Sequence, residues 1–246
     1  MDFSVNIEIE LTKLADEERA KNNARFFKTG EGEYGCGDKF LGIRVPQVRQ
    51  VIKANLKRAG LNDAVALLKS PWHEVRLAGC ILMVHLRQRV VKTGDKEEEE
   101  RIYNLYLKNT EYINNWDMVD ISAGNIVGEY LIDKDRGILS ILAKSTLLWE
   151  RRIAIIATGA FIKRGEFKDV FSISGILLHD KHDLIHKACG WMLREVGKNC
   201  GKDILNEFLE VHAHIMPRTM LRYALEKHGA SEKRRFMQMR SGVGIL

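Results

Sequence analysis

The sequence predicts an all-α protein, organised as an α-solenoid with a concave basic groove. Apolar residues recur at steps of three and four through most of the 246 positions, and no alternating strand pattern of comparable length occurs. The three prolines, Pro46, Pro71 and Pro217, each stand where a helix could begin, and there a missing N–H costs nothing. We expect residues 1–246 to form one solenoid domain.

The periodic segments predict a helix wherever apolar residues follow the helical step. In chain order these segments are 48–56, 64–68, 75–86, 102–107, 119–131, 138–142, 153–162, 185–196, 204–211 and 220–225.

The long helices repeat at distances of 32 to 44 residues. Charged residues at matching places, Arg76, Asp120, Arg152, Lys187 and Arg222, are separated by steps of 44, 32, 35 and 35 residues. Paired helices with periods of this size are typical of HEAT-like or armadillo-like solenoids. In such a stack one helix of every pair lines a common concave wall, so these positions are expected to converge on one groove.

Two segments lack the helical pattern. The glycine-rich stretch 29–38 is followed by no Gly-Lys-Ser/Thr and preceded by no strand, so we interpret it as a flexible connector and not as a nucleotide-binding loop. The basic stretch 231–246 lacks a clear apolar stripe, and we expect a loosely held tail.

Composition limits the function classes. A net charge of +6 and a pI of about 9.1 favour a polyanionic partner. The sequence has no apolar run of membrane-spanning length and no signal-peptide pattern, so we expect a cytoplasmic protein. Its four cysteines lack C-x-x-C spacing, and its histidine pairs lack recurrent acidic or cysteine ligands. We therefore expect no metal and no cofactor.

The segment 183–198 carries a basic stripe that includes a tryptophan. With Lys187 at zero on a helical wheel, Trp191 falls at about 40°, Lys198 at about 20° and Arg194 at about −20°. The apolar residues lie on the other side, and a large aromatic side chain away from them is unusual because burial normally drives tryptophan inward. Arg152 and Lys163 share a face in the preceding segment by the same count.

Trp116 and Asp120 share one face of an earlier helix. No Lys or Arg stands three or four positions from Asp120, so a local ion pair does not account for this carboxylate. An N-terminal-turn carboxylate for Asp120, a packing role for Trp116 and a solvated charge for Arg152 are the alternatives if each residue is taken alone.

Four blocks resemble one known family in the same order. They are Phe40-Leu-Gly-Ile-Arg-Val-Pro46, Asn115-Trp-Asp-Met-Val-Asp120, Trp149-Glu-Arg-Arg152 and Lys187-Ala-Cys-Gly-Trp-Met-Leu-Arg-Glu195. Together they resemble the AlkD family of bacterial DNA alkylation repair glycosylases over roughly residues 15–229.

The resemblance implies a HEAT-like solenoid that grips duplex DNA and hydrolyses the N-glycosidic bond of N3- or N7-alkylated purines without base flipping, unlike most glycosylases. Asp120 would be the catalytic carboxylate, Trp116 and Trp191 would lie against the deoxyribose and backbone of the lesion, and Arg152 would contact a phosphate. We assign further DNA contacts to Lys163, Lys187, Arg194 and Lys198, and we expect a monomer. Such a protein would be associated with the bacterial nucleoid when bound to DNA.

The resemblance leaves two points open. Phe26, Phe27 and Tyr34 are all candidates for an N-terminal aromatic contact to the lesion. The alternative function is a non-catalytic HEAT-like module that binds nucleic acid or a protein, since fold alone does not establish activity.

Overall fold

Helices make up the regular secondary structure of the computed structural model, which describes residues 2–239. Within this range the one isolated bridge, between Lys39 and Trp72, forms no strand, so the predicted all-α class is confirmed. The chain divides into two compact units, the first ending at Ser122 and the second beginning at Ala123. None of the helices in the described range combines the length and apolarity that a membrane span requires.

The first unit is built around a long central helix. Its helices are α1 (Phe3–Thr12), α2 (Glu17–Phe26), α3 (Val45–Asn55), α4 (Leu61–Leu68), α5 (His73–Thr93), α6 (Lys96–Lys108) and α7 (Trp116–Ala123), the last ending one residue past the division. Helix α5 packs against α1, α3, α4 and α6 and is buried on most of its surface. A buried ion pair between Arg87 and Glu99, at 2.6 Å, joins α5 to α6.

The second unit also surrounds one long helix. After a π-helical turn (Gly124–Gly128) come α8 (Gly137–Ala143), α9 (Leu148–Ala157), α10 (Gly159–Ile162), α11 (Lys168–Leu177), α12 (Asp183–Asn199), α13 (Lys202–His212), α14 (Arg218–Ala224) and α15 (Ala230–Gln238). Helix α12 packs against α9, α11, α13 and α14. At its crossing with α14, a Cβ on Gly190 would lie 2.4 Å from the Met220 carbonyl oxygen, so only glycine permits this approach.

Most helices fall where the apolar periodicity predicted them, with Pro46 in the first turn of α3 and Pro217 as the N-cap of α14. The segment 153–162, predicted as one helix, is two, α9 and α10, with Thr158 between them. Periodicity did not identify α1, α2, α11 or α15.

The expectation of a loose C-terminal tail is wrong for the part that the structure describes. Residues of α15 form a helix that buries Phe236 completely and pairs Glu232 with Lys202 at 2.5 Å. One buried aromatic ring anchors a helix that has too few apolar residues for a visible stripe. Residues 240–246 of the predicted tail lie outside the described residues.

Candidate functional site

Trp116 and Asp120 stand one turn apart on α7, and both are half-buried. Residues four apart on a helix lie on the same face. The neighbouring positions Met118 and Val119 are fully buried and fix the opposite side of α7 in the core of the first unit. Ser122 adds a hydrogen bond to the Tyr106 hydroxyl at 2.7 Å. The helix is therefore anchored in the core of the first unit, and the indole and the carboxylate remain partly exposed.

A buried charged network holds the first turn of α7. The ring of His73 has Nδ1 at 2.8 Å from Asp38 Oδ2 and Nε2 at 2.9 Å from Asp117 Oδ2. The other oxygen of Asp38 pairs with Arg76, and Asn115 Nδ2 donates to Asp38 at 3.3 Å. Since buried charges are tolerated when they are paired, this network joins the loop before α3, the start of α5 and the start of α7 into one rigid junction.

The network keeps His73 protonated. Burial disfavours its charge, but the hydrogen bonds to Asp117 and Asp38, with the negative charges of both, outweigh burial and raise the pKa of His73 to about 9. Burial also opposes the charge of Asp38, whose pKa is nevertheless lowered by its hydrogen bond to His73 and by the charges of His73 and Arg76. At neutral pH the imidazolium therefore donates from both nitrogens.

Aromatic rings stack between this network and Trp116. The indole of Trp116 lies parallel to the ring of Phe27, with centroids 5.2 Å apart and planes at 13°. Phe27 in turn stacks on Phe40 at 5.0 Å and contacts His73 at 4.8 Å. Phe26 meets the indole edge to face at 5.9 Å and is 66% exposed. The plane of Trp116 is thus set by a buried stack, and Phe26 is the solvent-facing ring beside it.

The glycine-rich segment 29–38, predicted to be a flexible connector, packs closely at Gly35 against the backbone that follows α2. The N–H of Gly35 donates to the Lys28 carbonyl at 3.1 Å, and a Cβ on Gly35 would lie 2.3 Å from the Phe27 carbonyl oxygen. The segment ends in Asp38, whose side chain is 3% exposed. Its glycines allow close backbone packing that carries Asp38 to His73.

The carboxylate of Glu74 holds the backbone of the block that begins at Phe40. This carboxylate, on a residue only 2% exposed, accepts the backbone N–H groups of Leu41 and Gly42 at 2.8 Å and of Ile43 at 3.1 Å. Gly42 has φ of +81°, and a Cβ there would lie 2.1 Å from the Asp16 carbonyl oxygen. The block therefore has a structural role: it supports α5, from which His73 reaches α7.

In the second unit, α12 has the two faces that the helical wheel predicted. Trp191 is half-buried, on the side away from the core. The residues predicted to be apolar and inward are all buried: Ile185, Ala188, Cys189, Met192, Leu193 and Val196. The structure therefore keeps a large aromatic ring on the outer part of this helix.

The basic stripe of α12 is accompanied by acidic residues. Lys187 pairs with Asp183 at 2.7 Å, and its side chain is 40% exposed. Arg194 pairs with Glu226 and is more enclosed, whereas Lys198 is 67% exposed. Exposed ion pairs of this kind are weak, so phosphates could replace the carboxylates at low energetic cost.

Arg152 and Lys163 do not share one exposed face. Arg152 is 5% exposed, and its Nη1 donates to the Leu184 carbonyl at 2.6 Å. Lys163 is exposed just after α10, beyond the break at Thr158. The helix assumed in that count is interrupted at Thr158, and the guanidinium is directed to the start of α12, so the common face stays a prediction. The phosphate contact of Arg152 stays a prediction.

Sequence reasoning missed His73, Asp38 and Glu74. The partners of His73 lie 35 residues before it and 44 after it, so no local spacing reveals them. One signal was present: His73, Glu74 and Arg76 stand together immediately before the uninterrupted apolar run 77–84. Charged residues directly before an apolar run of this length indicate a buried polar junction.

Across the described residues, no cluster of three or more His, Cys, Asp or Glu side chains has an arrangement that could hold a metal ion.

Comparison with known proteins agrees with the sequence blocks. The family described as DNA alkylation repair enzyme matches residues 7–228. A solved structure from Enterococcus faecalis, described as a predicted DNA alkylation repair enzyme, is similar with a TM-score of 0.70 and 17% identity, over 88% of this chain and 97% of that chain. No curated protein matches. At this identity the structural likeness shows a shared helical-repeat fold, and the match over nearly the whole sequence shows that the chain belongs to the DNA alkylation repair enzyme family.

Proposed function

We propose that the protein is a monomeric DNA glycosylase that removes N3- or N7-alkylated purines from duplex DNA. An alkylated purine of this kind carries a positive charge, so it leaves as a neutral base with the electrons of the C1′–N bond and needs no general acid. The sugar becomes an oxocarbenium-like cation, as in glycoside hydrolysis. Water then adds to C1′ and gives up a proton, leaving an abasic site.

Asp120 would stabilise the developing cation and accept the proton of the attacking water. Trp116 and Trp191 would lie against the deoxyribose and backbone, and each indole face could contribute about 0.5 to 2 kcal/mol of cation–π stabilisation. We propose, as the resemblance implies, that the base stays in the duplex stack during the reaction.

The observation that carries the proposal is the construction of α7. Its inner side is packed in the core, its first turn is tied to His73 through Asp117, and the Trp116 ring is stacked on Phe27. Half-buried Asp120 lies on the same face one turn later. A preorganised carboxylate beside a preorganised aromatic face suits a reaction that develops positive charge on a sugar.

Of the three aromatic candidates for the N-terminal lesion contact, we propose Phe26. Phe27 is buried within the stack, and the Tyr34 hydroxyl lies 3.5 Å from the Phe26 carbonyl oxygen. Phe26 alone of the three combines 66% exposure with a ring contact to Trp116.

We propose that exposed cations anchor the DNA backbone through phosphate contacts. Lys163 and Lys198 are the most exposed of the assigned residues, and Lys187 would exchange Asp183 for a phosphate. Each phosphate neutralised releases counterions, so affinity should fall steeply with salt. Arg194 and Arg152 are more enclosed and would contribute less to this salt dependence.

The test compares wild type, Asp120→Asn and the control Asp203→Asn, which removes a carboxylate from the exposed first turn of α13. Free base released from 7-methylguanine duplex DNA is measured in single turnover, with DNA affinity measured in the same low-salt buffer. Asp120→Asn should keep binding and lose release by about a hundredfold or more, while Asp203→Asn should resemble wild type. Salt-sensitive binding without base release by wild type would favour the non-catalytic module instead.

A further inference from the structure

His73 is connected to Trp116 by two independent routes. The first route is a hydrogen bond from His73 Nε2 to Asp117, the residue that follows Trp116 in the backbone of α7. The other is through ring contacts, since Phe27 lies 4.8 Å from the His73 ring and 5.2 Å from the indole. His73 itself is 2% exposed and cannot touch a substrate.

Both routes depend on how the imidazole is held. Its second nitrogen is fixed by Asp38, which Arg76 and Asn115 fix in turn. A neutral imidazole donates from only one nitrogen, so loss of the proton would leave one carboxylate facing a lone pair. The first turn of α7 can then no longer be held from both sides.

We propose that His73 is a positioning residue for base excision: by bonding Asp38 and Asp117 at once, it orients the turn of α7 that carries Trp116 and Asp120. This inference rests on the proposed glycosylase function for its effect on rate. Its effect on the geometry of Trp116 does not depend on that function.

The charges around the ring determine how its protonation responds to a variant. Asp38 faces it from the glycine-rich segment and Asp117 from α7, while Arg76 and Glu74 stand on its own helix, the latter bonded to the backbone of the Phe40 block. The two facing carboxylates raise the pKa of His73 to about 9. Removing the charge of Asp117 therefore lowers this pKa, so His73 loses its proton at a lower pH.

The rate experiment uses Asp117→Asn, with His85→Gln as the matched control because His85 is a half-buried histidine elsewhere on α5. Single-turnover release of 7-methylguanine is measured from pH 6 to pH 10, and the rate of each variant is divided by that of wild type to cancel titration of the substrate base. For Asp117→Asn this ratio should fall by about tenfold to a hundredfold as pH rises toward 9, with DNA affinity unchanged. His85→Gln should give a flat ratio near one. A flat ratio near one for Asp117→Asn would overturn the proposal.

A second readout needs no catalysis. The His73 ring and the Trp116 indole N–H are followed by NMR during a pH titration, with Trp116→Phe used to assign the indole signal. The indole signal of wild type should shift in step with His73 near pH 9, and both should move to lower pH in Asp117→Asn. An indole signal of wild type that does not shift while His73 titrates would overturn the positioning role. This outcome needs wild type alone, so it holds even if Asp117→Asn does not fold. Absence of base release by wild type with this coupled shift present would refute the glycosylase and leave the positioning intact.

Discussion

Replacing Glu74 with glutamine should loosen the junction that supports α7. The carboxylate accepts three buried backbone N–H groups, at 2.8, 2.8 and 3.1 Å. Glutamine keeps the shape of the side chain but replaces one carboxylate oxygen with an NH2 group, which cannot accept a hydrogen bond. If this group takes the place of Oε2, the N–H of Leu41 loses its acceptor. One charge-assisted bond is then lost, and the remaining two are weakened because the acceptor is neutral.

The expected cost follows from these bonds. A hydrogen bond to a charged group contributes about 1.5 to 3 kcal/mol, and a buried N–H left without an acceptor adds its desolvation penalty. We therefore expect Glu74→Gln to destabilise the first unit by about 3 kcal/mol. This corresponds to an increase of roughly a hundredfold or more in the equilibrium constant for local unfolding of this segment.

Amide hydrogen exchange followed by NMR measures this loss at the residues concerned. The amides of Leu41, Gly42 and Ile43 should exchange roughly a hundredfold faster in Glu74→Gln than in wild type. Glu100→Gln is the matched control, since Glu100 is an exposed glutamate on α6. Protection of the three amides within about twofold of wild type would refute the reasoning, because their acceptor would then contribute little.

Three further predictions concern stability and substrate contact. The pKa of His73 is raised in the folded state from 6.5 to about 9. Protonated His73 therefore stabilises the folded state fully below about pH 6.5, and this stabilisation is lost as the pH rises through 9. The free energy of unfolding of wild type relative to His73→Gln, measured with urea, should fall across this window by about 3 kcal/mol at most. Gly190→Ala should destabilise the fold by about 1 to 3 kcal/mol because the added Cβ would clash with the backbone of α14. Gly175→Ala, whose Cβ would lie in open space on α11, should stabilise the fold by about 0.5 to 1 kcal/mol. Thermal unfolding measures both, and equal shifts in Tm for the two variants would contradict this. Phe26→Ala should leave folding intact and reduce base release, and a release rate equal to that of wild type would exclude the proposed contact.

The sequence could predict those features that depend on local periodicity. The wheel of α12 assigned its buried residues correctly because burial there follows one continuous stripe against α9, α11, α13 and α14. Helix α2 was not predicted because none of its residues is buried, and α15 was not predicted because Phe236 is its one buried residue. A helix without an apolar stripe gives no periodic signal.

Contacts between distant segments could not be predicted. Regular spacing put Arg152 at the place equivalent to Lys187, yet Arg152 is buried and donates to Leu184 while Lys187 is partly exposed. The environment of each cation depends on which backbone its own helix meets. His73 and Asp38 were missed for the same reason, since their junction forms only when three segments pack together.

The most direct test of the central claim is the product formed from duplex DNA that contains 7-methylguanine. A glycosylase releases free 7-methylguanine and leaves one abasic site for each base released, and both can be counted in the same wild-type reaction. We predict equal amounts of the two products. Unmodified guanine regenerated in the DNA, or lesions that persist while the protein stays bound, would contradict the account.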